Sequence, residues 1–354
     1  MASTLAFDKG DIKALAGLLK DSAKVGIVSH SRPDGDAAGC CVAVLRFLDA
    51  IYPGEKDCRI LLENEVPDNL DFLFGENESS RTLFYSGSAG EVKEFVSGCD
   101  LLICLDLAGL HRTGSMEEAF AGCSARKVLI DHHLDPCREC FDLTFSVIRI
   151  SSASELLYHL LSCLCTDCGY AFPGACLEPL LTGITTDTNN FANSVYGSTL
   201  SAVSMMLDAG ADRDGILYKL YNRCPERRVR VMGKLLSENL TILDNGVAYM
   251  ILDGETTDRF GIKQGETEGF VNIPLTIDKV KLSIFIRQEG ETLRVSIRSV
   301  RGVSANRLAS RHFHGGGHEQ AAGGRLDLGK DIPDIGSIPE YIASATSNIA
   351  DYES

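Results

Sequence analysis

The chain has 354 residues, 44% of them hydrophobic, and a formal net charge of −15. That length suits two domains rather than one, and the acidic balance argues against a general nucleic-acid binder working through a bulk positive field. No apolar run approaches the roughly 20 residues needed to span a bilayer as a helix, and the N-terminal stretch lacks the pattern of a cleaved leader, so a cytoplasmic location is expected.

"KVGIVSH" (24–30) reads as a buried strand that runs into "SHSRPDGDAAG", which carries His30, Asp34 and Asp36. Pro33 and Gly35 bend the chain so that both aspartates can turn inward. "DAAGCCVAVLRFLDAI" (36–51) reads as the next helix. Gly39 lets that helix approach closely, and its first amides could face an anion. "CRILL" (58–62) and "DLLICLD" (100–106) are further strands, the second ending at Asp106. Arg112, in "LHRTG" just beyond, is either a phosphate contact or a surface cation.

"KVLIDH" (127–132) ends in Asp131, His132 and His133. Neighbouring side chains on a strand point to opposite faces, so these three share a site only if the strand stops there. "TFSVI" (144–148) is another strand, and "SASELLYHLLSCLC" (152–165) is a helix with a serine start. "LLTGITTDTNNF" presents Asp187 after an apolar run, as a fourth strand-end contribution. Strands separated by helices imply a mostly parallel sheet flanked by helices, with sites beyond the carboxyl ends of the strands.

From about 198 to 240 the pattern is helical, broken at Pro225, with "ERRVRV" as a connecting helix. After Gly246 it changes to alternating strands around a turn near Gly290, then a short helix "SANRLASRHF" with Ser304 as cap, then "GGGHEQAAGG". The expected organisation is a first domain over 1–210, a helical linker over 211–240 and a smaller α/β domain over 241–354. Residues 279–325 carry nine Lys/Arg against three Glu, a local positive patch that suits a small or short anionic ligand. Within it Gly315, Gly316 and Gly317 can offer backbone amides to a phosphate, followed by His318.

The 13 cysteines are odd in number and scattered through apolar segments, as for reduced thiols buried as small hydrophobes. Cys137/Cys140 and Cys165/Cys168 form two CxxC pairs, but the 24 residues between them exceed the usual zinc spacing, so ordinary thiols are expected there too.

A lone aspartate after a strand is usually a turn or cap residue. Here the motif recurs, and four carboxylates brought together would repel one another. Divalent cations remove that repulsion. Carboxylates with a minority of imidazoles favour Mn²⁺ or Mg²⁺, then Co²⁺ or Fe²⁺. Six candidate ligands exceed one ion's share, which suggests two ions about 3.5–4 Å apart.

"SHSRPDGDAAG", "LDLA", "DHH", "TGITTDT" and "GGGHEQAAGG", in this order, resemble the motifs of the DHH phosphoesterase superfamily with its DHH-associated C-terminal domain. The resemblance runs from about residue 20 to 325, and length and architecture are similar to the bifunctional oligoribonuclease/pAp phosphatases, the nanoRNases. It implies an α/β DHH fold with a linker helix to a smaller substrate-binding domain. It implies that His30 and Asp34 hold one metal, that Asp36, His132 and Asp187 hold the other, and that Asp106 bridges both. Asp131 would support the pair, and His133 would face the scissile phosphate, either protonating the leaving oxygen or orienting the phosphate. His318 and Arg298 would bind a phosphate or terminal nucleotide. The activity implied is two-metal hydrolysis of short RNA and of 3′-phosphoadenosine 5′-phosphate (pAp), with Mn²⁺ ahead of Mg²⁺. Alternatives are a linear dinucleotide (pApA or pGpG) or cyclic-dinucleotide phosphodiesterase, an exopolyphosphatase and a non-catalytic nucleotide sensor. The partners expected are short RNA and small nucleotides, no membrane, and a second copy of the chain in a homodimer.

Overall fold

The structure, a computed structural model, describes residues 5–263 and 265–353. The chain divides into two compact units, Met1–Arg223 and Cys224–Ser354.

The first unit is built on six parallel strands: β1 (Lys24–Val28), β2 (Asp57–Leu62), β3 (Thr82–Phe84), β4 (Leu101–Leu105), β5 (Arg126–Asp131) and β6 (Leu143–Ser146), in the order β3-β2-β1-β4-β5-β6. All five residues of β4 are buried, as continuous apolar strands must be when helices cover both faces of a parallel sheet. Sequence order reverses direction between β1 and β4, and such a switch point opens a crevice at the carboxyl ends of the strands. β3, a three-residue edge strand, is too short to show in the apolar pattern.

Four helices matter for the site: α1 (Gly35–Ile51), α2 (Ala153–Cys168), α3 (Leu177–Asp187) and α4 (Gly197–Asp208). The first half of α1 is buried all round, which its run of Ala, Cys, Val and Leu permits. Gly39 is where α3 comes close, since a Cβ there would lie 2.4 Å from the Pro179 carbonyl oxygen.

Asp187 is not at a strand end; it is the last residue of α3. Leu177, Leu180, Leu181 and Ile184 recur at helical spacing and bury together. Thr182, Thr185 and Thr186 each turn the hydroxyl back to the carbonyl four residues earlier. This lets three β-branched residues, which favour strands in isolation, sit in a helix.

The second unit has a mixed sheet in the order β11-β12-β10-β9-β8-β7: β7 (Thr241–Ile242), β8 (Val247–Leu252), β9 (Leu282–Glu289), β10 (Thr292–Ser299), β11 (Gly316–Gly317) and β12 (Ala321–Asp327). β9 and β10 form the hairpin around Gly290, and β8 pairs with β9 in parallel. Ser304 caps the helix Ala305–His312 by accepting from the Arg307 amide. The helix Glu226–Lys234 belongs to this unit, where Val231 is buried with Met250, Phe270 and Phe285.

Cys137 and Cys140 are joined by a disulfide, contrary to the thiols expected there. The turn Arg138–Cys140 brings their Cα atoms to 5.8 Å, within disulfide range. Cys165 is buried and Cys168 exposed, both free. The cysteines at 40, 41, 58, 99, 104 and 176 are buried free thiols.

Candidate metal centre

The adjacent strands β1, β4 and β5 end side by side and deliver His30, Asp106 and the Asp131–His133 run to one edge. Backbone and hydroxyl bonds tie these ends together. The Ser29 hydroxyl donates to the Leu105 carbonyl (2.8 Å), the Asp106 amide to Ile130 (3.0 Å) and the Ser31 amide to Arg112 (2.8 Å). Asp106 itself sits in the left-handed region at φ +54°, and so do Arg32 and the run Asn189–Asn190–Phe191. Non-glycine residues are uncommon there, and such strain persists where the surroundings over-determine it.

Asp106 is the centre of the arrangement. Its Oδ2 faces His30 Nε2 at 3.4 Å, while its Oδ1 faces His132 Nε2 at 3.5 Å and His133 Nδ1 at 3.6 Å. His30 Nε2 also lies 3.9 Å from Asp34 Oδ1. On the other side His132 Nε2 lies 3.5 Å from Asp187 Oδ2 and 4.0 Å from Asp36 Oδ2. Among the described residues, three groups have potential donor atoms all within 4.8 Å of one another: His30/Asp34/Asp106, Asp36/His132/Asp187 and Asp106/His132/His133.

The second histidine is oriented by its neighbour. Asp131, fully buried, accepts from the His133 amide (3.1 Å) with one oxygen and meets His133 Nδ1 (2.8 Å) with the other. The strand ends at Asp131, so the alternation of faces no longer binds the two histidines after it.

Burial, then the charge of Asp106, pushes Asp36 up to about 7. Burial, then the charge of Asp36, pushes Asp187 up to about 8. Burial opposes a charged His30, but Asp106 and Asp34 outweigh it and hold the imidazole at about 9; His132, facing Asp106, Asp36 and Asp187, is held at about 10. Burial disfavours the charge on Asp106, yet His132 and His30 bring its pKa well below the ordinary carboxylate range.

These residues fit a pair of divalent cations. The donors are oxygens and imidazole nitrogens with no thiolate, the set that hard or borderline cations prefer. Asp106 Oδ1 is buried and without a hydrogen bond, a costly state for a carboxylate oxygen unless a cation lies beside it.

The amides at the start of α1 are not offered to an external anion. Asp34 Oδ1 accepts from Asp36 (3.0 Å) and Ala37 (3.1 Å), capping the helix within the chain. Gly35 is required because a Cβ there would lie 2.3 Å from the Thr186 hydroxyl. Asp36 is clamped from α2: its Oδ2 accepts from the Ala153 amide (2.7 Å) and its Oδ1 from the Ser154 amide (2.9 Å). Sequence reasoning missed that contribution. The signal was Ser152 followed by Glu155, the spacing of a capping box.

In the second unit the glycine-rich run is a tight hairpin. Gly316 and Gly317 pair with Gly323 and Ala322, and His318 closes the turn through mutual backbone bonds with Ala321. A Cβ at Gly315 would lie 1.9 Å from the Gly323 carbonyl oxygen, and one at Gly317 would lie 2.6 Å from that of Ala321. Packing against β12 thus accounts for two of the three glycines. Arg298 stands across from Ala321 in register, half-buried, and donates to the Ile297 and Ala322 carbonyls. Arg112 is half-buried and contributes its carbonyl to the strand-end ties.

Residues 24–184 match the DHH family, N-terminal domain, and residues 244–343 match the DHHA1 domain. The chain is 26% identical to the bifunctional oligoribonuclease and PAP phosphatase NrnA of Bacillus subtilis (strain 168), over 84% of this chain and 87% of that protein. It is 28% identical to the protein of the same description from Thermus thermophilus, over 85% and 83%. Among solved structures it is similar to an exopolyphosphatase-related protein from Bacteroides fragilis, with a TM-score of 0.87 and 32% identity over 96% of both chains.

Proposed function

Since the chain belongs to the DHH family of phosphoesterases and carries a DHHA1 domain behind its DHH domain, we propose that it hydrolyses short oligoribonucleotides and pAp with the help of two divalent cations. The observation that carries this reading is the buried Asp106 carboxylate, which turns one oxygen to His30 and the other to His132. The oligoribonuclease and PAP phosphatase activities for which the Bacillus and Thermus relatives are named support the choice of substrates.

In this reading His30, Asp34 and Asp106 hold one cation, and Asp106, Asp36, His132 and Asp187 hold the other, with Mn²⁺ ahead of Mg²⁺ because imidazoles share the site with carboxylates. Bound there, the cations supply positive charge to the phosphoryl oxygens and acidify water. Asp106 keeps the two ligand sets at a fixed spacing. Asp131 engages Nδ1 of His133 and so fixes the orientation of the ring. As the imidazolium, His133 can protonate the leaving oxygen or orient the phosphate by hydrogen bonding; a neutral ring whose one N–H is given to Asp131 can donate to neither. Arg298 and His318 of the DHHA1 domain bind a second phosphate or the terminal nucleotide, with the hairpin of Gly315, Gly316 and Gly317 leading into His318, and Arg112 is a further phosphate contact.

The test is a panel of pAp, pApA, pGpG, 5′-phosphorylated RNA from two to ten nucleotides, pyrophosphate and polyphosphate, each with Mn²⁺, Mg²⁺ or chelator. The reading expects Mn²⁺-dependent turnover of pAp and a rate that falls with RNA length. Equal rates on long and short RNA would sink the short-substrate claim. The similarity to an exopolyphosphatase-related protein favours a second reading, polyphosphate hydrolysis. Turnover of polyphosphate with pAp untouched would select it.

A further inference from the structure

Glu155 is a fully buried carboxylate that the proposed chemistry does not use. Its Oε2 accepts from the Ser151 amide (3.0 Å), the Ser151 hydroxyl (2.5 Å) and the Thr199 hydroxyl (2.7 Å). One turn along α2, His159 Nε2 lies 3.8 Å from the other oxygen, and it too is buried. Burial works against the charge, but His159, Ser151 and Thr199 outweigh it and hold the pKa at about 2. Glu155 thus ties Ser151 ahead of α2, the next turn of α2 and the start of α4 to one point.

What it holds is the entrance to α2. Ser152 caps the helix by accepting from the Glu155 amide (3.0 Å), and the next two free amides, of Ala153 and Ser154, both go to Asp36. The oxygen of Asp36 bound to Ala153 is the one that faces His132. The other, bound to Ser154, points toward Cys40. The carboxylate plane of Asp36 is thus set by two amides, and the segment just before those amides is pinned by Glu155 to the start of α4 through Thr199. The opposite side is closed as well. A Cβ on Gly183 would lie 2.0 Å from the Ser154 hydroxyl oxygen and 2.7 Å from Asp36 Oδ1.

We infer that Glu155 is a positioning residue for Asp36, fixing through Ser151 and the first turn of α2 which carboxylate oxygen is presented to the cation held with His132 and Asp187. The inference rests on the reading of Asp36 as a ligand. It predicts an asymmetric defect: the cation site containing Asp36 weakens while the site of His30 and Asp34 does not.

The experiment is equilibrium Mn²⁺ binding to the full-length protein, followed by electron paramagnetic resonance of free Mn²⁺, for wild type, Asp36→Asn, Glu155→Ala, Glu155→Gln and Ser151→Ala. Wild type binds two ions and Asp36→Asn loses one. Glu155→Ala weakens that same ion at least tenfold and the other less than threefold, the loss expected when a ligand's support is removed. Glu155→Gln, whose amide oxygen can still accept from Ser151 and Thr199, recovers affinity to within threefold. Both ions bound as in wild type by a folded Glu155→Ala, or both weakened in parallel, would overturn the inference. If Glu155→Ala does not fold, Ser151→Ala decides: selective weakening supports the inference and unchanged binding overturns it. Asp36→Asn binding both ions like wild type would instead overturn the reading of Asp36 as a ligand, and the inference with it.

Discussion

Asp106 and Glu155 are both buried carboxylates, and the difference between them lies in their partners. Glu155 has three hydrogen bonds to one oxygen from an amide and two hydroxyls. Asp106 has three imidazoles at 3.4–3.6 Å spread over both of its oxygens and no such set of amide and hydroxyl donors, while each carboxylate keeps one buried oxygen without a hydrogen bond, Asp106 Oδ1 and Glu155 Oε1. Glu155 is therefore expected to serve stability, and its pH dependence has a definite sign. Its pKa falls from an ordinary 4.5 to about 2 on folding. A carboxylate depressed on folding stabilises the native state above its unfolded pKa and loses that contribution as pH falls through the folded value. The melting-temperature gap between wild type and Glu155→Gln should be full at pH 6 and close between about pH 4.5 and 2. A gap independent of pH over that range would contradict the assignment. The ligand candidates were legible one by one in the sequence because each follows an apolar run. The clamp on Asp36 was not: Ser152 and Glu155 mark the start of a helix, but the backbone amides that start exposes carry no mark of the residue they will bind.

At the scale of elements, the site depends on how closely α1 and α3 pack. Replacing Gly39 by alanine puts a methyl 2.4 Å from the Pro179 carbonyl oxygen, a backbone atom that cannot rotate away. Overpacking of this kind costs about 1–3 kcal/mol. The urea midpoint should fall accordingly, and an unchanged midpoint would show that the helices can part without penalty. The parallel sheet and its first helix were legible because β1, β4 and β5 are continuous apolar runs. α3 was misread as leading to a strand end: its threonines favour strands, and only their back-bonding to the preceding turn, which no linear pattern reveals, reconciles them with a helix. The glycine-rich run was legible as a motif but not as a hairpin. The need for glycine at 315 and 317 comes from β12, which arrives only when the chain turns back.

For the whole molecule, the proposed division of labour separates chemistry from grip. If Arg298 and His318 bind the far phosphate or nucleotide, Arg298→Ala and His318→Ala should raise KM for short RNA about tenfold or more and change kcat less, the mark of binding lost equally in ground and transition states. A fall in kcat at constant KM would place these residues in the chemical step instead. The acidic overall charge and the basic stretch 279–325 both favour a short anionic substrate, and both were legible from composition. The claim beneath all of this is that a cation-loaded cluster centred on Asp106 hydrolyses phosphate esters. The most direct test is phosphate release from pAp by wild type and Asp106→Ala, each with Mn²⁺ and each with chelator. The expected result is turnover by Mn²⁺-loaded wild type alone, with a loss on the order of 10³-fold or more in the other three conditions, comparable to removing a principal source of transition-state charge stabilisation. Wild-type-like turnover by Asp106→Ala, or turnover that survives chelation, would contradict it.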